Sequence, residues 1–500
     1  MKSKILFLVF IIFTSIAFSQ GKRITIVKSD NSSIDEERLP GATILLGNIL
    51  IKHEGISLKC KKAIHYKSDN YIQAFGDVVL NQGDTIIQTS KYTEYNGNTK
   101  KALSWGNVVI KDPKMTLRTD TLHFDRSRQL LFYNHGATIK DSINTLTSNS
   151  GNYYLESKKF QAISNVVITN PDYDLESNHL DYYTNSGRAY LYGASTITSN
   201  DNLIYCEKGF YDTKQNISHF TKNARIEYKD REIKADSLYY DRNIGFASAT
   251  NNIRITDTIN NSLLKGNYAE YFEKIDSAFV INKAVAVTNT NADSLFIHGD
   301  TLLVTGVPER RIIRAYHHVK FFKSDMSGKC DSIHSNQATG LTQMFKDPIL
   351  WSNDSQITGD SIQLISNVKT EKLDSLKVLH NAFIIQKDSI GFNQIKGRNL
   401  YGKFEENDLR YVHIIGNAEV VHFVRNDSKQ LIGIEKTTCS EIHFTLVDGA
   451  IKSAKFINQA EGETYPPSKL PENVRKLRGF KWREDEKPLK KEDIFIRDEI

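Results

Sequence analysis

Four cysteines (Cys60, Cys206, Cys330 and Cys439), the adjacent His317 and His318, and many aspartates are the side chains of this 500-residue chain that could carry chemistry. In an oxidising compartment four thiols would suggest two disulfides. All four nevertheless occupy one position of a repeated pattern, the small residue just before a recurrent Asp or Asn. Other copies place Thr119, Ser177, Ala235, Gly266, Gly299 and Gly359 there. Counted in copies, the cysteines are three or more rungs apart, so at the strand spacing even the nearest pair is roughly 15 Å apart. A bridge needs Cα atoms within about 7 Å. Free, buried thiols are therefore expected.

His317 and His318 are neighbours on a strand and face opposite ways, which is poor geometry for one metal ion. No Cys or His pair has zinc-type spacing, so neither a metal nor a cofactor is expected. "SGKC" at 327–330 lacks the glycine and the Ser/Thr of a phosphate loop, and no G-x-S-x-G is present. The aspartates fall mostly at strand corners or in turns such as "YDRN" at 240–243, where a turn role suffices. No catalytic residue is assigned, and an enzyme is not expected.

The elements that carry these residues repeat. Second strands of successive hairpins begin at Gly47 ("GNILI"), Gly76, Gly106, Gly136, Ser164, Gly193, Lys222, Asn251 and Asn282. Successive steps are 29, 30, 30, 28, 29, 29, 29 and 31 residues. Looser copies start at His317, Asp347, His380 and Gly416, making about thirteen, and a period of this length signals stacked repeats. The second and fourth residues after each start share a face. They are apolar in nearly every copy, as at Ile49 and Ile51 or Val108 and Ile110. The copy at Gly136 places Thr138 and Lys140 there, which implies a local register shift.

On the facing strands, with Asp120, Asn178, Asp236 and Asp360 as reference, large apolar residues sit three before and two after. Those offsets have opposite parity, so the strand must bend at the Asp/Asn position through a bulge or corner. Stacked bent hairpins give two facing layers with apolar inner faces. Thirteen rungs extend on the order of 60 Å. Each copy alone would leave its apolar face wet, which is why the unit repeats.

At the N-terminus, Lys2 and Lys4 precede an apolar run at 5–13 and small residues at 17–19, the pattern of a cleavable signal peptide over residues 1–19. That run is too short to span a bilayer, which takes about 20 helical residues. The formal charge of +6 is mild and excludes nothing. After the repeats, residues 465–500 gather Pro466, Pro467, Pro471 and Pro488 with mixed charge, an extended tail expected to cap the last rung, bind a partner or stay disordered. The expected domains are repeats at 20–300, a looser continuation at 301–464, and this tail.

The composite pattern resembles the OstA/LptA family of lipopolysaccharide-transport proteins. It is carried by "KKALSWGNVVI" at 100–110, "LRTDTLHFD" at 117–125 and "IKADSLYYD" at 233–241. The similarity is tight from about residue 41 to 304 and thinner to about 444. It implies an all-β, elongated, open, V-shaped LptA-like β-jellyroll in the periplasm, associated with the outer membrane, whose apolar trough carries the acyl chains of lipid A. The implied partners are lipopolysaccharide, LptC-like and LptD-like jellyroll domains joined by edge-strand pairing, and further copies of the chain end to end; nucleic acid is not among them. The residues after 421 are too few for the barrel of the family's outer-membrane member.

The candidate groove residues are Ile49, Ile51, Val78, Leu80, Val108, Ile110, Leu122, Phe124, Val166, Ile168, Ile226, Leu238, Ile253 and Ile255. Periodicity alone leaves open whether these rows pack on one another or stand apart. The competing readings are a structural repeat protein of the envelope with a filled core and, more remotely, a glycan-acting β-solenoid. At 22–30, "KRITIVKSD" alternates like a strand and is expected to cap the first edge or pair across an interface.

Overall fold

The computed structural model describes residues 22–498 apart from 84–85, 201, 229, 260, 290–292, 308–309, 353, 371, 407, 427, 448–449 and 470. The signal peptide expected at 1–19 lies outside the described residues. The chain is an all-β jellyroll of bent antiparallel hairpins, and among the described residues the one α-helix is the short Glu472–Arg475. It divides into two compact units, Met1–Ser195 and Thr196–Ile500.

Long strand pairs slip register at the corner, and the pairs of Asp408–Arg425 with Phe392–Glu405 and with Leu431–Val447 slip a second time. Asn251 and Asn252 together face the single residue Asn267, between the pairs Thr250–Tyr268 and Ile253–Gly266. Both bulged residues are left-handed, with φ of 58° and 50°. The doublet recurs at Ser164 and Asn165, Lys222 and Asn223, His317 and His318, and His380 and Asn381. Left-handed backbone costs roughly 1–2 kcal/mol for an ordinary residue and least for Gly or Asn, which is why so many doublets read Gly-Asn or Asn-Asn. Gly106 has a second reason, since a Cβ there would come within 2.9 Å of Lys91 Cβ.

The corner therefore lies where the sequence placed it, but the extra residue comes from the facing strand. The recurrent Asp or Asn is the single residue opposite the doublet. Ala235 and Leu238, three apart on one strand, are both buried, which only a bend permits. Outside the bend the reference carboxylates accept hydrogen bonds from neighbouring doublets: Asn252 Nδ2 donates to Asp236 at 2.9 Å and Asn381 Nδ2 to Asp360 at 3.0 Å. Asp241 accepts the N–H of Asn243 at 3.0 Å in its turn. These aspartates do structural work at corners and turns.

Two copies are shifted from the sequence alignment. At the fourth, Ala137 rather than Thr138 faces the small residue Thr119, so the inward pair is Ala137 and Ile139, each 8% exposed. At the eleventh, the left-handed doublet is Lys346 and Asp347, one residue earlier than the start assigned at Asp347. A further doublet at Asn458 and Gln459 links strands Ala450–Ile457 and Glu461–Tyr465, one corner beyond the copy at Gly416. At the other end, strands Thr25–Lys28 and Asn31–Ile34 pair with Ala42–His53, as expected of the segment at 22–30.

The small residue before each reference position faces the first inward residue beyond the doublet: Cys60 faces Ile49, Cys330 faces Val319, Cys439 faces Ala418 and Gly397 faces Ala382. Space there is short. A Cβ on Gly266, Gly359 or Gly397 would collide with Val280, Val378 or Ile414 respectively.

The tail is ordered against the second unit. On strands Leu373–Lys387 and Asp408–Arg425, Ala382, Ala418 and Val420 face the interior, while Phe383, Ile385, Val421 and Phe423 on the opposite face are buried with Ile434 under Val474 and Leu477. Phe480 and Trp482 flank Phe392 at 5.1 and 5.2 Å. Further along, Ile494 covers Val285 and Val287.

Two buried glutamines hold the strap by its backbone. Gln394 accepts the Leu477 N–H at 2.8 Å and donates to Arg475 O at 2.7 Å. Gln356 accepts the Arg483 N–H at 2.8 Å and donates to Lys481 O at 2.7 Å. Lys320, 4% exposed, donates to Ile496 O and Asp498, both at 2.8 Å. Replacing Gln394 with Ala leaves the buried Leu477 N–H unpaired and removes the bond to the Arg475 carbonyl, a loss of about 1–3 kcal/mol. Limited trypsin digestion should then release the tail of Gln394→Ala faster than that of the unaltered chain; equal rates would contradict the clamp.

Candidate functional site

An apolar ligand chain needs inner-face side chains that the protein itself leaves uncovered. Ten of the fourteen sequence-derived candidates lie in the first unit: Ile49, Ile51, Val78, Leu80, Val108, Ile110, Leu122, Phe124, Val166 and Ile168 are 0–9% exposed. In the second unit Leu238 and Ile253 are buried, whereas Ile226 and Ile255 are partly exposed. The structure thus places all fourteen on the inner side of the bend but separates them by accessibility.

In the first unit the two arms of the bend are tied together at the rim. Six residues beyond successive corners, His53 Nδ1 is 2.6 Å from Tyr95 Oη, Gln82 bonds Gln129 at 2.7 Å, and Asp112 accepts from Tyr153 at 3.4 Å. Arg126 adds to the first link, donating to Tyr95 Oη at 2.9 Å and to Glu54 O at 2.7 Å. Inside the bend a polar chain runs from Gln88 to Ser104 to Thr93 to Ser90, with bonds of 2.5, 2.9 and 2.9 Å, all four residues buried. These four side chains satisfy one another inside the bend, and the apolar rows around them are buried.

Residues 202–272 of the second unit differ. Ile204, Ile226, Ile233, Ile255 and Leu264 are all partly exposed, whereas Leu58, Leu80, Ile110 and Leu117, at matching repeat positions, are each 2% exposed. On the other arm, four residues after the reference site, stand Tyr211, Tyr240 and Tyr271, also partly exposed. Tyr240 Oη donates to Glu273 at 3.2 Å and Tyr271 Oη to Asp276 at 3.3 Å. Burial, with the adjacent Asp276 carboxylate, pushes the Tyr271 phenol up to about 12, so it stays a neutral donor. At the rim Arg311 donates to Asp257 at 3.3 Å, and Arg231 lies 3.9 Å from the same carboxylate.

This arrangement is amphipathic: partly exposed branched aliphatic residues along one arm, phenol rings along the other with the Tyr240 and Tyr271 hydroxyls bonded to carboxylates, and an ion pair at the edge. It suits an apolar chain carrying a polar head. Ile204, Ile233, Leu264 and the three tyrosines were not named from the sequence. No sequence signal marks this difference, since the first unit places Tyr95, Tyr153 and Tyr182 at the same repeat position, and what differs is exposure, with Tyr95 and Tyr153 each 2% exposed. A surface cavity of about 330 Å³ at the irregular fourth corner, lined by Arg118, Thr138, Thr147 and Asn149 among others, is polar and unsuited to that role.

The four thiols are free and buried. Burial pushes Cys60 and Cys206 up to about 11 and Cys330 up to about 12, so they are poor nucleophiles. Among the described residues, no helix is long and apolar enough to cross a membrane.

Residues 21–178 match the family described as OstA-like protein. No curated protein matches the chain. Among solved structures it is similar to LptH, the LptA homologous periplasmic component of the conserved lipopolysaccharide transport device from Pseudomonas aeruginosa. The identity is 15% and the TM-score 0.16, over 27% of this chain and 82% of that one.

With all four thiols free and buried, a thiol reagent at pH 8 should leave the native chain unmodified and label four groups once it is unfolded without reductant. Fewer than four labels on the unfolded chain would reveal a disulfide.

Proposed function

We propose, from the match of residues 21–178 to the OstA-like family, that this chain is an exported, periplasmic protein of lipopolysaccharide transport that holds lipid A acyl chains between the arms of its second unit. The observation that carries this reading is the run of partly exposed Ile204, Ile226, Ile233, Ile255 and Leu264 opposite Tyr211, Tyr240 and Tyr271. Leaving several large aliphatic groups partly wet sacrifices roughly 1.5–3 kcal/mol for each fully burying contact forgone, which an acyl chain would restore.

The packed interior of Met1–Ser195 favours a different task for that unit, a rigid docking element. Its first strands, Thr25–Lys28 and Asn31–Ile34, pair on one side with Ala42–His53, and Val27 and Ile34 are 50% and 66% exposed. An edge of this kind suits strand addition by LptC-like or LptD-like jellyroll domains, or by another copy of the chain.

A photoreactive residue at Ile226 or Ile255 should capture lipopolysaccharide in living cells, while one at Val108 or Ile49 should not. Capture from all four sites would mean that the first unit also opens. Capture from none, with surface lipopolysaccharide intact after depletion of the protein, would favour the filled structural reading.

A further inference from the structure

The last two long strands carry a cluster that neither the repeat nor lipid carriage requires. His413 on strand Asp408–Arg425 stands directly across from His443 on Leu431–Val447. Their neighbours Val412, Ile414, Ile442 and Phe444 are buried, so both imidazoles and Glu441, two residues before His443, project from the opposite face. The rings lie 3.9 Å apart between centroids. Glu441 Oε2 is 3.0 Å from His413 Nε2 and 3.9 Å from His443 Nε2. One donor atom from each of the three residues lies within 4.8 Å of the other two.

We propose that His413, Glu441 and His443 form a binding site for a zinc-class divalent ion, Zn²⁺ or its Cu²⁺ and Ni²⁺ neighbours. Zinc binds imidazole nitrogen at roughly 2.0–2.1 Å and carboxylate oxygen at roughly 2.0–2.2 Å, which sets tetrahedral ligand atoms about 3.4 Å apart. The observed separations bracket that value, and small rotations of side chains on a fixed two-strand frame close the difference. Two nitrogens and one oxygen select imidazole-preferring ions over Mg²⁺ or Ca²⁺, which need more oxygens. Lys455, the strand neighbour of His443, is exposed on a long flexible stem and can swing clear of the cation. Three protein ligands leave a coordination position for water or a partner's side chain. The bound ion clips the two strands together beside the end of the repeat stack.

The sequence spacing hid this site. Its ligands are 28 and 30 residues apart in the chain, and only the pairing of the two strands makes them neighbours.

Titration of ZnCl₂ into the chelator-stripped mature chain, followed by calorimetry and thermal melting, tests the proposal. A one-to-one event is expected that raises the melting temperature and weakens about tenfold or more in His413→Ala and His443→Ala, as loss of a ligand demands. MgCl₂ should do neither. The altered side chains lie on the outer face, and far-UV circular dichroism verifies that the variants fold. Glu441→Gln and the visible absorption of the Co²⁺-loaded chain give readouts that do not depend on the histidine variants. Zinc binding of equal strength in all variants, an equal response to Mg²⁺, or no zinc binding at all would overturn the proposal.

Discussion

One backbone constraint organises both units: left-handed backbone at the corner, in most copies a pair of consecutive residues facing a single residue on the next strand. The doublet reverses the parity of the strand, so that alternate apolar side chains on both arms of one hairpin face the same interior. Without it, half of each hairpin would present its apolar residues to water. The constraint also explains the composition of the corners. Gly, Asn and a few His or Lys fill the doublet, a small residue faces the first inward side chain beyond it, and a short acid receives the neighbouring amide. Buried cysteine belongs to this logic as a compact apolar filler rather than as a reactive group.

With the bend fixed, what varies is how far the arms stand apart. Rim hydrogen bonds at His53, Gln82 and Asp112, together with the polar chain through Gln88, draw the arms of the first unit onto a filled core. Around 202–272 the inner rows are aliphatic on one arm and phenolic on the other, and they remain partly uncovered. The strap of residues after 465 acts elsewhere. It lies on the outer face of the later strands of the second unit and stiffens them through backbone bonds to Gln356 and Gln394.

Much of the fold was legible because the period is short and its consequences are local. Parity at Leu117 and Leu122 is enough to demand a corner, and the small residue at Cys60 or Gly397 is enough to predict crowding. Register failed by one residue at Gly136, where the left-handed glycine directly precedes the inward Ala137, and at Asp347, where the doublet opens on Lys346, a residue with no strong left-handed preference. Where the tail docks was not legible, because its footprint is not a repeat feature. The trace it left is the unbroken apolar run at 382–385 and the near-continuous Val420, Val421 and Phe423, which mark strands buried on both faces. Accessibility of the interior was the least legible property, since Ile51 and Ile255 occupy equivalent positions in the repeat, yet the first is buried and the second partly exposed.

The central claim is that the arms of the second unit, and not those of the first, part to receive an acyl chain. Hydrogen–deuterium exchange of the mature chain with and without lipid A tests it most directly. The account requires added protection concentrated in the strands between 202 and 272, with the strands between 42 and 170 unchanged. Protection confined to the first unit, or none in either, would contradict it.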